Sequence, residues 1–476
     1  LATVATEAAA GSAPGEKKIA TPRLIAFAST GIPQAALLLV AGTYLPQLYT
    51  VHGAVTLLAY TWATTSVRIV DLLFDPFLGW MMDKTKTSFG RFRPWFIAGV
   101  PVTMVGGYML LNPPQGADAF YLATWYLIMW IGISMLALSH ASWAASLSVN
   151  YHERSRIYGW MIALAPIGSV GLLLLPFLTD HTLVVGKADS YHPISIMIMI
   201  ALPLTTVFMA GLTPERRNIE VSKQSFGLKD YWSLITRPTM ARLIIGDLIL
   251  TLGPGVTGPL YNFFFGQIKG FPQEEINYLL IGYIGAALLG GIIWSRLAQS
   301  WGKHRTLQIA CVAYAIAQSS LMAVPKGLFV PSFIGMIGAG FCASAFLLLI
   351  RAMVADYADE IRLEQGKERA GVLYALVTTT QKLGQSINVL LVFPALQLIF
   401  HFNPKAPVND EYAKFGLQLC YLFAPVIFVF FAALLFFGYK LDKKRHDEIR
   451  LALEERDMQL RGAAAGDHTT GPGDTD

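Results

Sequence analysis

Residues 68–80 read RIVDLLFDPFLGW, an arginine and two aspartates set in a stretch otherwise suited to oil. Steps of three and then four put Arg68, Asp71 and Asp75 along one face of a helix. Two carboxylates one turn apart offer hard oxygens to a monovalent cation, or a resting place to a proton. Arg68 and the lysine of TTTQKLGQSI, Lys382, are candidate charge partners that swap contacts as the cation binds. The bland alternative is a fixed network, Arg68 with Asp71 and Lys382 with Asp75, that only pins two helices together.

These charges matter because of what carries them. The chain has 476 residues, 54% hydrophobic and 14% charged, too little charge to cover a soluble domain of that size. Apolar runs of bilayer length recur at 24–50, 56–82, 95–111, 120–147, 158–179, 194–213, 241–267, 275–296, 305–325, 329–355, 370–400 and 412–439. The expectation is an all-α membrane protein of twelve transmembrane helices, because lipid offers an unsatisfied backbone no partner. Lys187, Lys269, Lys326, Lys405 and Lys414 fall on one side; most of the 36 Lys and Arg fall on the side of both termini. The positive-inside rule makes that side cytoplasmic. The net charge of +5 is then a topology signal, and no nucleic-acid partner is needed.

The longest inner connection splits the spans six and six. The expected organisation is a disordered cytoplasmic N-terminus 1–22 without the apolar core of a signal peptide, and a six-helix half 23–213. A cytoplasmic loop 214–240 and a second half 241–440 follow, then a tail 441–476, charged and helical to Arg461 and disordered beyond. Within the loop, FGLKDYWSLI is amphipathic and suited to the membrane surface. The halves repeat. Gly79 to Gly90 and Gly291 to Gly302 are both eleven-residue steps, followed by Arg91 and Arg93 in one copy and by Lys303 and Arg305 in the other. The same offset carries Asp71 onto Tyr283 and Asp75 onto Ala287, so the turn was kept twice and the carboxylates once.

Twelve spans in two halves resemble the major facilitator fold. DLLFDPFLGWMMDKTKTSFGRFRPW (71–95), ADYADEIRLEQGKERAG (355–371) and TTTQKLGQSI (378–387) resemble the signatures of the glycoside–pentoside–hexuronide:cation symporters, the melibiose-carrier family. The resemblance implies that Asp71 and Asp75 bind the coupling cation and that Lys382 belongs to the same polar centre. It implies a sugar or glycoside as small-molecule substrate, with lysolipid carriers among the relatives. The departures are local. Helix 1 offers Gln34 where melibiose-type members carry an acid, Phe74 stands where they carry an asparagine, and the helix 4 segment reads SHASW. Phe74 brings no oxygen to a sodium ion, which favours a proton and leaves H+ or Na+ open.

Asp71 and Lys382 each lie about 18 Å from the inner end of their spans at 1.5 Å per residue, near the midplane. Charges there cost roughly 2.5–3.5 kcal/mol each on insertion scales, so they face one another or a polar cavity. Substrate contacts are expected from Gln34, Thr378, Gln381, Gln385 and Asn388 as neutral hydrogen-bonders. Tyr44, Trp125, Trp143 and Tyr261 are candidate stacking platforms, and His140 a proton acceptor or substrate contact. Asp247 is as much a gate or packing group as a ligand. Asp83, Arg91, Arg93, Arg154, Arg156, Asp356 and Asp359 line the cytoplasmic side, as an anchoring girdle or as an inner gate. Cys311, Cys342 and Cys420 stand singly, and no phosphate loop, metal motif or nucleophile motif occurs. The expected function is cation-coupled symport of a sugar or glycoside by alternating access, without enzyme activity, cofactor, further metal or obligate protein partner, in a bacterial inner membrane. The rivals are a carrier of a lipid or other amphipathic solute, and a non-transporting sensor or scaffold that would tolerate neutral residues at 71 and 75.

Overall fold

Helix starts follow local chemistry. Thr56 accepts from the Ala59 amide at 3.2 Å, Asp118 from Tyr121 at 2.8 Å and Asp410 from Ala413 at 2.8 Å, each satisfying a donor that a first turn leaves free. Stops use glycine: Gly302 (φ 87°) and Gly366 (φ 67°) end two long helices in conformations that a side chain resists. The computed structural model describes residues 18–85, 87–148, 151–213, 215, 233–366, 370–406 and 408–467.

The spans are α1 (Thr21–His52), α2 (Leu57–Lys84), α3 (Arg93–Leu111), α4 (Ala119–Leu147), α5 (Tyr151–Leu173) and α6 (Tyr191–Leu212) in the first half. The second half holds α7 (Pro238–Ile268), α8 (Gln273–Trp301), α9 (Lys303–Ala323), α10 (Phe329–Gln365), α11 (Ala370–Pro394) and α12 (Glu411–Leu435). Eleven helices among the described residues are long and apolar enough to cross a membrane. The twelfth, α2, has the length at 28 residues but carries Arg68, Asp71 and Asp75, the charges that set it apart.

Two boundaries differ from expectation. The helix α10 runs ten residues past position 355, because the stretch ending in Gln365 is rich in good helix formers and stops only at Gly366. The tail helix α13 (Lys443–Asp467) continues past Arg461 through GAAAGD, where three alanines outweigh two glycines. The amphipathic FGLKDYWSLI falls largely outside the described residues, as do residues 1–17 and 468–476. The three cysteines are buried thiols.

The repeat is visible in the backbone. Gly90 and Gly302 both have positive φ, 120° and 87°. At the first turn, the Glu215 carboxylate accepts from the amides of Arg91 (2.8 Å), Phe92 (3.0 Å) and Arg93 (3.0 Å). An anion thus caps the start of α3, where the helix dipole favours it.

Apolar packing is divided unequally between the two ends. One cluster joins both halves at the end away from the termini, with Tyr44, Tyr60 and Trp130 on one side and Tyr261, Phe264 and Phe393 on the other. At the terminal end each half has its own core, one around Phe27, Phe96 and Trp143, the other around Tyr314, Phe346 and Tyr357. Among the described residues the halves share one apolar cluster at the far end and have separate ones at the terminal end.

Candidate functional site

The site forms where α2 meets α11. Lys382 Nζ lies 3.1 Å from Asp71 Oδ2 and also contacts Asp75 Oδ2, a bridge between the two halves at membrane depth. Asp71 is 2% exposed, and Ser134 of α4 donates to its other oxygen at 2.7 Å. Asp75 Oδ1 is buried without a partner. Pro76 follows directly and has no N–H, so the Leu72 carbonyl lacks its usual helix partner beside the cluster. Carboxylate, hydroxyl and ammonium thus converge in one place, with spare acceptor capacity.

Arg68 does not pair with Asp71. Its guanidinium carbon sits 3.4 Å from the centroid of the Trp130 ring and 5.9 Å from that of Tyr126. The reason is competition: Lys382 and Ser134 already occupy Asp71, and an indole face is an alternative seat for a guanidinium. Sequence reasoning missed Ser134, Trp130 and Tyr126. They lie on one face of α4 at steps of four, a legible signal, but one that usually marks ordinary core. Phe74 packs near Phe77 and belongs to the apolar core of its half. Ser134, from another helix, supplies the kind of oxygen that Phe74 does not.

Among the expected substrate contacts the structure draws a line. Thr378 and Gln385 are exposed on α11, as are Thr379, Ser66 of α2 and Arg351 of α10. The hydroxyls of Thr378 and Ser66 donate to carbonyls of their own helices, Tyr374 at 2.9 Å and Ala63 at 3.0 Å. Gln381 donates to Asp247 Oδ1 at 3.3 Å, leaving Asp247 Oδ2 buried and unpartnered. Asn388 is buried, and its amide fills the space left by Gly255. Gln34 is half-buried and donates to the Thr30 carbonyl of its own helix at 3.0 Å. His140 is buried with Nε2 3.0 Å from the Phe27 carbonyl, and its ring lies 4.4 Å from that of Phe27. Trp143 is fully buried against Phe27 as well, and Trp125 packs beside Tyr121. Tyr44 and Tyr261 are buried, donating to Asn277 (2.7 Å) and to the Ile276 carbonyl (2.8 Å). In this conformation His140, Trp143, Tyr44 and Tyr261 are packing residues, because aromatic rings bury more apolar area than a wet cavity allows.

The two ends differ in polar contacts too. At the far end, bonds cross between halves: Tyr44 to Asn277, Asn277 to the Val185 carbonyl (3.0 Å), Asn262 to the Thr43 carbonyl (2.9 Å), the Leu58 amide to Gln397 (2.7 Å), and Lys187 with Glu274 (3.0 Å). At the terminal end the ion pairs seen among the described residues lie within a half. Arg156 holds Glu153 (2.8 Å), Lys303 holds Asp356 (2.5 Å), and His446 of α13 sits 3.1 Å from Asp356 and 3.3 Å from Asp359. Arg91 Nε donates to the Met82 carbonyl at 3.2 Å, and Arg93 to that of Ala210. In these contacts Arg93, Arg156, Asp356 and Asp359 anchor helices of their own half. The side chains of Asp83 and Arg154 lie outside the described residues.

Residues 26–443 match the model of the family described as MFS/sugar transport protein. The chain belongs to that family. Among similar proteins are the putative glycoside/cation symporter YagG of Escherichia coli (strain K12), 21% identical over 412 residues, 85% of this chain and 88% of the relative. The isoprimeverose transporter of Lactiplantibacillus pentosus is 25% identical over 396 residues, 79% of each chain. The sodium-dependent lysophosphatidylcholine symporter 1 of Mus musculus is 22% identical over 429 residues, 81% and 79%. Among solved structures, the nucleoside transporter NupG superposes with TM-score 0.65 at 13% identity, covering 88% of this chain and 99% of NupG. A bacterial homologue of the human lysosomal transporter Spinster gives TM-score 0.65 at 13% identity, covering 89% and 97%. These likenesses carry the fold: the chain is an integral, multi-pass membrane protein with the major facilitator architecture, in a family of transporters rather than enzymes.

Proposed function

We propose that this family member is a cation-coupled symporter of a sugar or glycoside, with Asp71 and Asp75 as the coupling site. The observation that carries the reading is the Lys382 bridge, because it ties a removable positive charge to the contact between the halves. A proton on either carboxylate, or a sodium ion among the oxygens of Asp71, Asp75 and Ser134, competes with the Lys382 ammonium. Binding releases α11 from α2 and lowers the cost of rocking one half against the other. Substrate hydroxyls meet Thr378 and Gln385 on α11. Relatives named as a glycoside/cation symporter and an isoprimeverose transporter support the substrate class.

Both termini lie on the cytoplasmic side of a bacterial inner membrane in this reading, following the Lys and Arg distribution. The joined far end then makes this the inward-facing state. The organisation 23–213, 214–240 and 241–440 supplies two rocking bodies and their tether. A second reading, carriage of an amphipathic lipid solute, draws on the lysophosphatidylcholine relative. Uptake by right-side-out vesicles across a sugar panel, with sodium and proton gradients imposed separately, tests the proposal. Accumulation of a sugar under one gradient supports it and names the ion; accumulation of no sugar under either overturns it.

A further inference from the structure

We infer that Asp247 is a second ion site, a carboxyl that takes up and releases a proton in each transport cycle apart from the Asp71–Asp75 pair; this rests on the symporter reading above. Asp247 stands nine residues after Pro238, the first residue of α7, so it lies about 14 Å from the inner end of the helix at 1.5 Å per residue. It is 3% exposed, as deeply buried as Asp71 at 2%. The two carboxylates are held very differently. Asp71 has an ammonium on one oxygen and a hydroxyl on the other. Asp247 has only the neutral amide of Gln381, at 3.3 Å from Oδ1, and its Oδ2 has no partner among the described residues. A buried anion with one bare oxygen is costly to keep, and a proton on Oδ2 removes the charge that makes it so.

The surroundings offer no other neutralising partner. Arg351 of α10 lies within electrostatic reach but makes no ion pair with Asp247 among the described residues. Arg242, on α7 itself, is turned to the Gly438 carbonyl at 3.2 Å. From α11 come the neutral Gln381 and Lys382, and Lys382 is held by Asp71 and Asp75. On the side of α12 the Phe436 ring lies against the neighbouring Gly246, and Ala424–Leu435 carries no titratable residue.

Gln381 and Lys382 are consecutive residues of α11, so a single turn of one helix holds both acid sites. Loading the Asp71–Asp75 pair frees Lys382 and lets α11 shift. The same shift takes the Gln381 amide from Oδ1 and leaves the charged form of Asp247 without a hydrogen bond. The proton joins Oδ2 from water on the outer side, crosses as a carboxyl O–H, and leaves to cytoplasmic water when Gln381 returns. No other bond forms or breaks. Two positive ions then travel with each solute, and each favours the binding of the other.

The test uses the full chain in proteoliposomes at clamped membrane potential, with labelled glucosides, galactosides and xylosides as probes and sodium and proton gradients imposed in steps. Steady accumulation rises with each gradient to a power equal to the number of those ions carried per solute. The powers are expected to sum to two for the wild type. Asp247→Asn is expected to lower the proton power by one, so that each tenfold step of proton gradient yields about tenfold less accumulation than in the wild type. Asp247→Glu should keep the wild-type power. A merely structural acid would change the rate or the melting temperature and leave the power alone. An unchanged proton power in Asp247→Asn overturns the inference and leaves the symporter reading standing, as does a wild-type sum of one. Dicyclohexylcarbodiimide, which modifies protonated carboxyls in apolar surroundings, gives a readout on the wild type that needs no variant to fold. Peptide mass spectrometry is expected to place its adduct on Asp247, in a yield that falls as pH rises; no adduct there also overturns the inference. Accumulation of no sugar under either gradient removes the symporter reading and this site with it.

Discussion

The helices α2 and α8 occupy equivalent places in the repeat and end in equivalent turns, yet only α2 carries charge in its middle turns, while the charges of α8 stand near its ends. Gly79 and Gly90 in the first half match Gly291 and Gly302 in the second, and both second glycines have positive φ. Where α2 presents Asp71 and Asp75, α8 presents Tyr283 and Ala287. The turn is architecture, needed wherever a span must reverse tightly on the inner side. The carboxylates stand in one copy alone, and the twin helix packs with Tyr283 and Ala287 in their place. What the difference teaches is that the fold is symmetric and the chemistry is not: a single charged face serves both halves because Lys382 reaches it from the other side.

The sharpest way to break this comparison is to neutralise each member of the pair. Asp71→Asn and Asp75→Asn are expected to cut gradient-driven accumulation by at least about 100-fold, against less than about twofold for Tyr283→Phe and Ala287→Ser. Uptake assays in vesicles check both arms, and comparable losses at the twin positions would refute an asymmetric site. Next in size is Lys382→Ala, which leaves two carboxylates without their cation. Losing one partner of such a buried pair costs about 3–5 kcal/mol, so active transport should fall at least about tenfold, and thermal unfolding in detergent should drop by several degrees.

The two turns give a finer comparison. A Cβ on Gly90 would collide with the Glu215 carboxylate, whereas a Cβ on Gly302 finds its nearest atom, Lys443 Cβ, at 3.9 Å. Both substitutions strain a positive φ, by about 1–2 kcal/mol. Gly90→Ala should therefore lower the melting temperature more than Gly302→Ala, because it also displaces the cap on α3; Glu215→Gln should recover only part of that cap. An equal effect at both turns would show that Glu215 contributes little. The smallest effect is expected at the far end. Tyr44→Phe removes one bond between the halves, about 0.5–1.5 kcal/mol, which shifts the balance of states by roughly two- to tenfold toward separation there. Accessibility of far-end positions to an impermeant label reads that shift.

Much of this was legible from residue types alone. The spans, the duplication and the three charges on α2 follow from hydropathy and periodicity, because lipid penalises every buried polar group and leaves few arrangements. Counting residues from the ends of their spans put Lys382 level with Asp71, and the two side chains meet. Other expected contacts are packed away in this conformation for a common reason. Tyr44, Trp143, Tyr261 and His140 have the chemistry of a binding site, but their helices turn them into the core. Periodicity states which residues share a face, not which neighbour that face meets.

The sequence by itself determined that this chain spans the membrane as two related halves and that one face of α2 carries charge. Only the tertiary structure decided who holds those charges. Lys382 and Ser134 claim Asp71 while Arg68 rests on Trp130, and among the described residues one apolar cluster joins the halves at the far end. The physical reason is that insertion cost is a property of each segment, additive along the chain. Charge partnership depends instead on distances of a few ångströms between helices far apart in sequence.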